Sequence, residues 1–478
     1  KIFNANKIPV YTTSQGKNWG YGSKVPIQTN SVIIDLKKLN KIVDYNEKLG
    51  FVSVEPGVTF QQLFDFLRQN NSELIISVTG GTKESSLVGN ALERGIGTGL
   101  YADRFSFVCN LEILLPNGEM FNTGFGRFQN NLISHVSRWG LGPSLDGLFS
   151  QSNFGIVTKM TMWLMPVPQN FQLLFYKIKD QSNLPKLIDV LQHLSIQGLV
   201  RPTITIYNDF RIVSSLKQYP WGQCTPENNS PDSVMKLLKE DVGISNIIGS
   251  WNGEISIRSA NSDHGRIQYE IIKNAIEPYV DDITLVEINK KEILSRLKSH
   301  YNNTFENTEK NIIKSFLLGK YIGIPNDLAI RQTYWRKKTP IPVDMDPNRD
   351  KCGLIWICPI VPFLGEDVEL AIEIIQQTIS KYFFEPSISL QCMSERSINI
   401  IASISWDRES KEDERNSLYC YKEVNKLLND NGYFSYRDTT LNMALEKEQT
   451  ISNTYNNIMK NIKNVFDPEN ILSPGRYI

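Results

Sequence analysis

The chain has 478 residues, with 51 Lys+Arg against 51 Asp+Glu, 41% hydrophobic and 21% charged residues. That is the balance of a globular protein of two or three domains, and its even charge gives no ground for a nucleic-acid or anionic-membrane partner. No stretch nears the roughly 20 unbroken apolar residues of a transmembrane helix, and six scattered cysteines with four histidines show no zinc spacing, so no metal is expected. Free thiols fit a reducing, cytoplasmic setting. The opening at Lys1 has neither an initiator Met nor a secretory pattern and reads as a truncated start.

Ile8 to Thr12 reads as a buried strand. Ser14-Gln15-Gly16-Lys17-Asn18-Trp19-Gly20-Tyr21-Gly22 follows, with three glycines in seven residues. Such a loop lets backbone N–H groups converge on an anion, although composition alone favours an ordinary surface turn, and no dinucleotide fingerprint opens a helix here. Ser31 to Leu36 and Phe51 to Val54 are strands, and Pro56-Gly57 turns the chain into a helix. Thr59 with Gln62 makes a capping box, and Phe60, Leu63, Phe64 and Leu67 give that helix an apolar face.

Gly89-Asn90-Ala91-Leu92-Glu93-Arg94-Gly95-Ile96-Gly97, with Tyr101 and Asp103 beyond, is too rich in glycine for a core. Its plain account is a loop tied by a Glu-Arg salt bridge. Phe107 to Leu115, Pro116-Asn117-Gly118 and Met120 to Thr123 read as a β-hairpin. Within Asp146 to Pro168, a polar run at Ser150 to Asn153 leads to a turn at Gly155. An apolar strand follows through Ile156-Val157 and Met160 to Met165, closed by Pro166 and Pro168. A turn without a side chain lets a planar molecule lie against the backbone, with core packing as the plainer reading.

From Phe171 to Gly432 strands such as Leu173 to Ile178 and Ile355 to Ile360 mix with helical periods at Leu184 to Leu194 and Val368 to Ile379. Tyr321 to Asp350, rich in proline and charge, reads as a long surface excursion. Past Leu418 a helix ends at Asn431-Gly432, and Tyr436-Arg437 and Pro474-Gly475-Arg476 complete the chain.

The blocks Gly16–Gly22, Gly89–Asp103, Asp146–Pro168 and Tyr436–Arg437, in this order, resemble the vanillyl-alcohol oxidase and 4-cresol dehydrogenase (p-cresol methylhydroxylase) family of FAD-linked oxidoreductases. The resemblance covers nearly the whole chain. It implies an α+β fold: a two-part FAD-binding domain of the PCMH type over 1–170 and 433–478, and an α+β cap over 171–432. It implies FAD contacts from Ser14 to Gly22, from Pro56, Gly57, Gly89, Asn90, Glu93, Gly95, Gly97, Tyr101 and Asp103, and from Gly155, Ile156, Val157 and Arg476. It further implies that Tyr21, Tyr436 and Arg437 bind a para-substituted phenol as phenolate, and that Asp103 lies beside the flavin N5. Hydride would leave the benzylic carbon, giving a quinone-methide-like intermediate, with O2 or a protein as final electron acceptor and a homodimer or higher homo-oligomer as assembly. The physics is coherent on its own. A phenol titrates near pH 10, so ionising it near neutrality needs an opposite charge and hydrogen-bond donors.

One departure bears on the cofactor. Family members commonly link FAD to a cap histidine or tyrosine, but Cys392 to Ile400 contains neither, and the pyrophosphate loop has Lys17 where related flavoproteins use histidine. Noncovalent FAD is expected. The alternatives are an oxidase of another alcohol or amine, a tailoring enzyme for a tyrosine-derived natural product, and a flavin-binding protein without turnover.

Overall fold

The computed structural model describes residues 2–201, 204–224, 229–240, 248–302, 312–445 and 452–478. Strand β1 (Val10–Thr13) runs parallel to β2 (Val32–Asp35), Val10 opposite Val32, so the glycine loop is the crossover between them. The C-terminal segment flanks β1 on the other side: Val10 N donates to Ile471 O and Ser473 N to Val10 O, both at 2.7 Å. A five-stranded sheet follows, made of β3 (Ile42–Asn46), β4 (Phe51–Val54), β6 (Val108–Leu114), β7 (Met120–Asn122) and β8 (Ile156–Trp163). Its order is β3-β4-β8-β6-β7, and a short pair, β5 (Leu74–Ile75) with β9 (Met165–Pro166), stands apart. Helix Phe60–Gln69 begins where expected: Thr59 Oγ1 accepts from Gln62 N, although the Gln62 side chain donates to Asn40 O rather than closing a capping box. Phe60, Leu63 and Leu67 bury against Val52, Val54 and Met160 of the sheet.

The second unit is an eight-stranded antiparallel sheet. Its strands are β10 (Asn170–Ile178), β11 (Ile204–Asn208), β12 (Trp251–Ser259), β13 (Asp282–Asn289), β14 (Cys352–Ile357), β15 (Ile360–Pro362), β16 (Ser387–Cys392) and β17 (Ser397–Asp407). The order is β13-β10-β12-β11-β16-β17-β14, with β15 paired to β17. Alternation decides its two faces. Ile355, Ile357, Ile388, Leu390, Ile398 and Ile400 point into a core shared with helices Leu184–Ile196, Gly365–Lys381 and Lys411–Asp430. The intervening Leu354, Trp356, Gln391 and Ile401 point the other way, onto a cavity between the two units.

The segment 321–350 corrects the sequence reading, because much of it is interior. Ile330 and Tyr334 form a small core with Trp19 and Cys352. Two of its cations are buried in ion pairs: Arg336 with Glu385 and Lys337 with Asp407, each at 2.8 Å. Buried ion pairs look like surface charge in a sequence, so the excursion reading fails for the part up to Lys337 and holds for most of 338–350.

Candidate active site

One cavity of about 320 Å³ runs between the units. The first glycine loop supplies one wall: Ser14, Gln15, Gly16, Lys17, Asn18, Trp19 and Tyr21 all line it. Gln15 Nε2 fixes this loop by donating to Gly57 O at 2.6 Å, and Lys17 pairs with Asp346 at 3.1 Å. Gly16, Gly20 and Gly22 have φ of 64°, 79° and 110°, the left-handed region that disfavours side chains. Gly20 and Gly22 do not line the cavity, however. A Cβ on Gly20 would overlap the Trp356 indole, and one on Gly22 the Thr440 side chain, so these glycines make room for the second unit and the returning chain.

Pro56, Gly89, Asn90, Glu93 and Gly95 form the next wall. Gly57 and Gly97 stand behind it, and a Cβ on Gly97 would strike Ser77 and Arg104. Arg104 is buried and ties this loop together, donating to Asn90, to Gly95 O at 3.1 Å and to Ser77 O at 3.0 Å. The Glu-Arg pair is not a local salt bridge: Arg94 donates to Ser150 Oγ at 3.0 Å, while Glu93 turns inward. Tyr101 and Asp103 are not on the cavity lining. Tyr101 stacks on Phe107 with centroids 4.0 Å apart. Asp103 is exposed, accepts from the Ser106 hydroxyl and lies outside the cavity lining, because the chain there enters the helical turn Arg104–Phe107 that sends Arg104 inward instead. Gly155, Ile156 and Val157 line the cavity, and a Cβ on Gly155 would meet Ile113 at 2.6 Å, so the turn also packs against the core.

At the end nearest the second unit, Tyr21, Tyr436 and Arg437 come together from distant parts of the chain. The Arg437 guanidinium lies 4.0 Å from the Tyr21 ring centroid and donates to Asn18 Oδ1. Tyr21 Oη is 3.1 Å from Cys358 Sγ. Tyr436 is placed by its own backbone, which donates to Cys358 O at 3.1 Å and accepts from Gln151 Nε2 at 2.9 Å. Burial raises the pKa of Tyr21 and of Tyr436, so both remain protonated donors at neutral pH. Glu93 feels burial pushing its pKa up, but Arg476 and Arg437 outweigh it and hold the carboxylate below its ordinary value. Glu93 bonds Arg476 directly and stands 3.5 Å from Arg437 Nε, and Arg476 Nη1 donates to Tyr11 Oη at 2.6 Å.

The composition of the walls fits FAD. Trp19 Nε1, Gln332 Oε1 and Gln391 Oε1, all on cavity-lining residues, are buried without a protein partner, and groups of that kind are met by a ligand or water. Gly89 has no room for a side chain, since a Cβ would stand 2.6 Å from Ser14 Oγ. Sequence reasoning missed Thr79-Gly80-Gly81, Ser85-Ser86, Arg211, Ala329, Ile330, Gln332, Thr333, Trp356 and Gln391. Only the Gly-Gly pair among hydroxyl residues carried a readable signal.

Fold and site define an FAD-binding oxidoreductase of the PCMH type, with an α+β FAD-binding domain and an α+β cap. Residues 1–124 match the FAD binding domain family model. The chain is 36% identical to the 1'-carboxy-chondrochloren decarboxylase of Chondromyces crocatus, over all of itself and 87% of that protein. It is 27% identical to the 4-cresol dehydrogenase [hydroxylating] flavoprotein subunit of Pseudomonas putida, over all of itself and 84% of that protein. The structure of p-cresol methylhydroxylase with substrate bound superposes with a TM-score of 0.85 at 26% identity, covering 100% of this chain and 85% of that one. The 4-ethylphenol oxidase from Gulosibacter chungangensis shares the fold, with a TM-score of 0.85 at 24% identity over 100% and 86% of the two chains. The chain therefore belongs to the 4-cresol dehydrogenase family of FAD-linked oxidoreductases, and FAD is its cofactor.

Proposed function

We propose that the chain removes a hydride from the benzylic carbon of a para-substituted phenol held as phenolate. One observation carries this reading: Tyr21, Tyr436 and Arg437 meet at one end of the cavity, two protonated hydroxyls and one retained cation. That set has the chemistry of an anion site for an aryl oxygen. The two hydroxyls donate hydrogen bonds and the guanidinium supplies the charge, which together favour the ionised phenol. Electron release from the oxygen through the ring weakens the benzylic C–H and leaves a quinone-methide-like species once the hydride has gone. FAD, when bound, supplies the hydride acceptor. Ser14 to Lys17, Gly89 and Asn90 would hold it, with Asn153 and Gly155 on the opposite wall.

Glu93 is a carboxylate on the cavity lining, with a different role from the one expected of Asp103. It is a positioning residue, shared between Arg437 and Arg476, which keeps Arg437 charged and aimed. The test is anaerobic mixing of the flavin-loaded enzyme with 4-ethylphenol. Bleaching of the flavin is expected, and an unchanged spectrum at saturating phenol contradicts the reading.

The full-length relative from Chondromyces crocatus, named a decarboxylase, supports a second reading on the same scaffold: a tailoring enzyme whose phenolic natural product loses a carboxyl group. Release of CO2 from a carboxylated phenol, without bleaching by 4-ethylphenol, favours it over the first.

A further inference from the structure

The charges lining the cavity do not balance within the protein. Glu93 is shared by Arg437 and Arg476, and Lys17 has Asp346. Arg211 has no such partner. It sits on the helix Asp209–Leu216, which Asn208 caps straight after β11, and its guanidinium lies 5.2 Å from the Trp356 ring centroid on the cavity wall. Among the described residues it forms no ion pair, and its buried Nη1 donates to nothing. The groups whose charge reaches it are Tyr207, Cys358 and Tyr21. Burial pushes their pKa to about 12, to about 11 and well above the ordinary value, so all three are neutral at pH 7. Burial lowers Arg211 only to about 10, so it stays a cation.

A buried cation without a counter-charge is costly and persists where something supplies the anion. The neighbours of Arg211 locate that anion. Trp356 and Tyr21 line the aromatic end of the cavity, not the walls at Ser14 to Lys17 and Gly89, and Cys358 Sγ is 3.1 Å from the Tyr21 hydroxyl. A guanidinium resting on an indole presents a planar edge, which matches a carboxylate.

We infer that Arg211 is a subsite for a carboxylate carried by the substrate, so that the chain selects 4-hydroxyphenyl compounds with an acidic side chain over neutral alkylphenols. This rests on the phenolate reading, which gives Tyr21, Tyr436 and Arg437 to the aryl oxygen and leaves Arg211 for a second anion.

The experiment is calorimetric titration of the flavin-loaded enzyme with 4-hydroxyphenylacetate, phenylacetate and 4-ethylphenol, for the wild type, Arg211→Met and Arg211→Lys. The wild type is expected to bind 4-hydroxyphenylacetate roughly ten- to a hundredfold more tightly than 4-ethylphenol, the worth of a charge-assisted hydrogen bond. Arg211→Met collapses that ratio and Arg211→Lys restores part of it. A wild type with no preference, including no binding of the acid, overturns the inference, and so does a preference that survives Arg211→Met. Should Arg211→Met fail to load flavin, the wild-type ratio and Arg211→Gln decide the matter. Failure of the phenolate reading shows separately, as phenylacetate binding as tightly as 4-hydroxyphenylacetate.

Discussion

Arg437 stays charged inside the cavity because Glu93 offsets the burial that would lower its pKa. The reciprocal effect has a sign that can be checked. Glu93 is held below its ordinary value of 4.5, so its stabilisation is present above that pH and is lost as pH falls through the lower folded value. Glu93→Gln should cost about 3 kcal/mol at neutral pH, the low end for breaking a buried pair. Thermal melts from pH 7 to pH 3 should show the gap between wild type and variant closing towards the acid end; a constant gap would assign the loss to packing. At Gly20 the structure changes the physical account. A side chain there meets Trp356, and the φ of 79° adds a left-handed penalty of about 1–2 kcal/mol. Gly20→Ala should therefore lower flavin loading and melting temperature, and Trp356→Ala in the same chain should restore most but not all of the loss. Independent, additive losses in the double-mutant cycle would rule out the contact.

Elements with a strong period were legible in the sequence. Phe51–Val54 is a strand at the expected residues, and the hairpin of β6 and β7 and the helix over Leu184–Ile196 occur where their patterns stood. Legibility fails where one strand serves two surroundings. In β14 the isoleucines face the core, but Leu354 and Trp356 look equally apolar and face the cavity, so no residue type marks the site. It fails again where charge is buried, as at Arg336 and Lys337. Lys463 is a third instance, in the helix Asn453–Phe466. Its Nζ donates to Asp467 at 2.7 Å, to Asn153 O at 2.7 Å and to Leu472 O at 3.0 Å, which clamps the returning chain to the cavity wall. Lys463→Met leaves Asp467 buried and unpaired. We expect a loss of about 3–5 kcal/mol, read as a lower denaturation midpoint with weaker flavin retention. A midpoint within experimental error of the wild type would show that the clamp is dispensable.

The whole molecule is two units closed on one cavity, with residues of the loop after β1, the cap sheet and the returning segment in a single site. Of the trio proposed for phenolate binding, the tyrosines and the arginine were legible through motif order, whereas their carboxylate neighbour was not, because Glu93 and Asp103 are equally plausible until the chain path between them is known. The same global view bears on how FAD is held. Among the described residues no histidine lines the cavity, and Tyr382, on the cap, gives its hydroxyl to Glu423 at 2.7 Å. Acid precipitation should therefore leave the yellow colour in the supernatant, and colour retained in the pellet would establish a covalent link. No helix among the described residues is long and apolar enough to cross a membrane. The central claim is the phenolate site, and the measurement that tests it most directly is the anaerobic flavin-reduction rate of Arg437→Ala with paired substrates that do and do not carry the para hydroxyl. Loss of a charge-assisted hydrogen bond worth about 1.5–3 kcal/mol predicts a slowing of roughly ten- to a hundredfold for the phenol alone. Equal slowing of both substrates, or of neither, would contradict it.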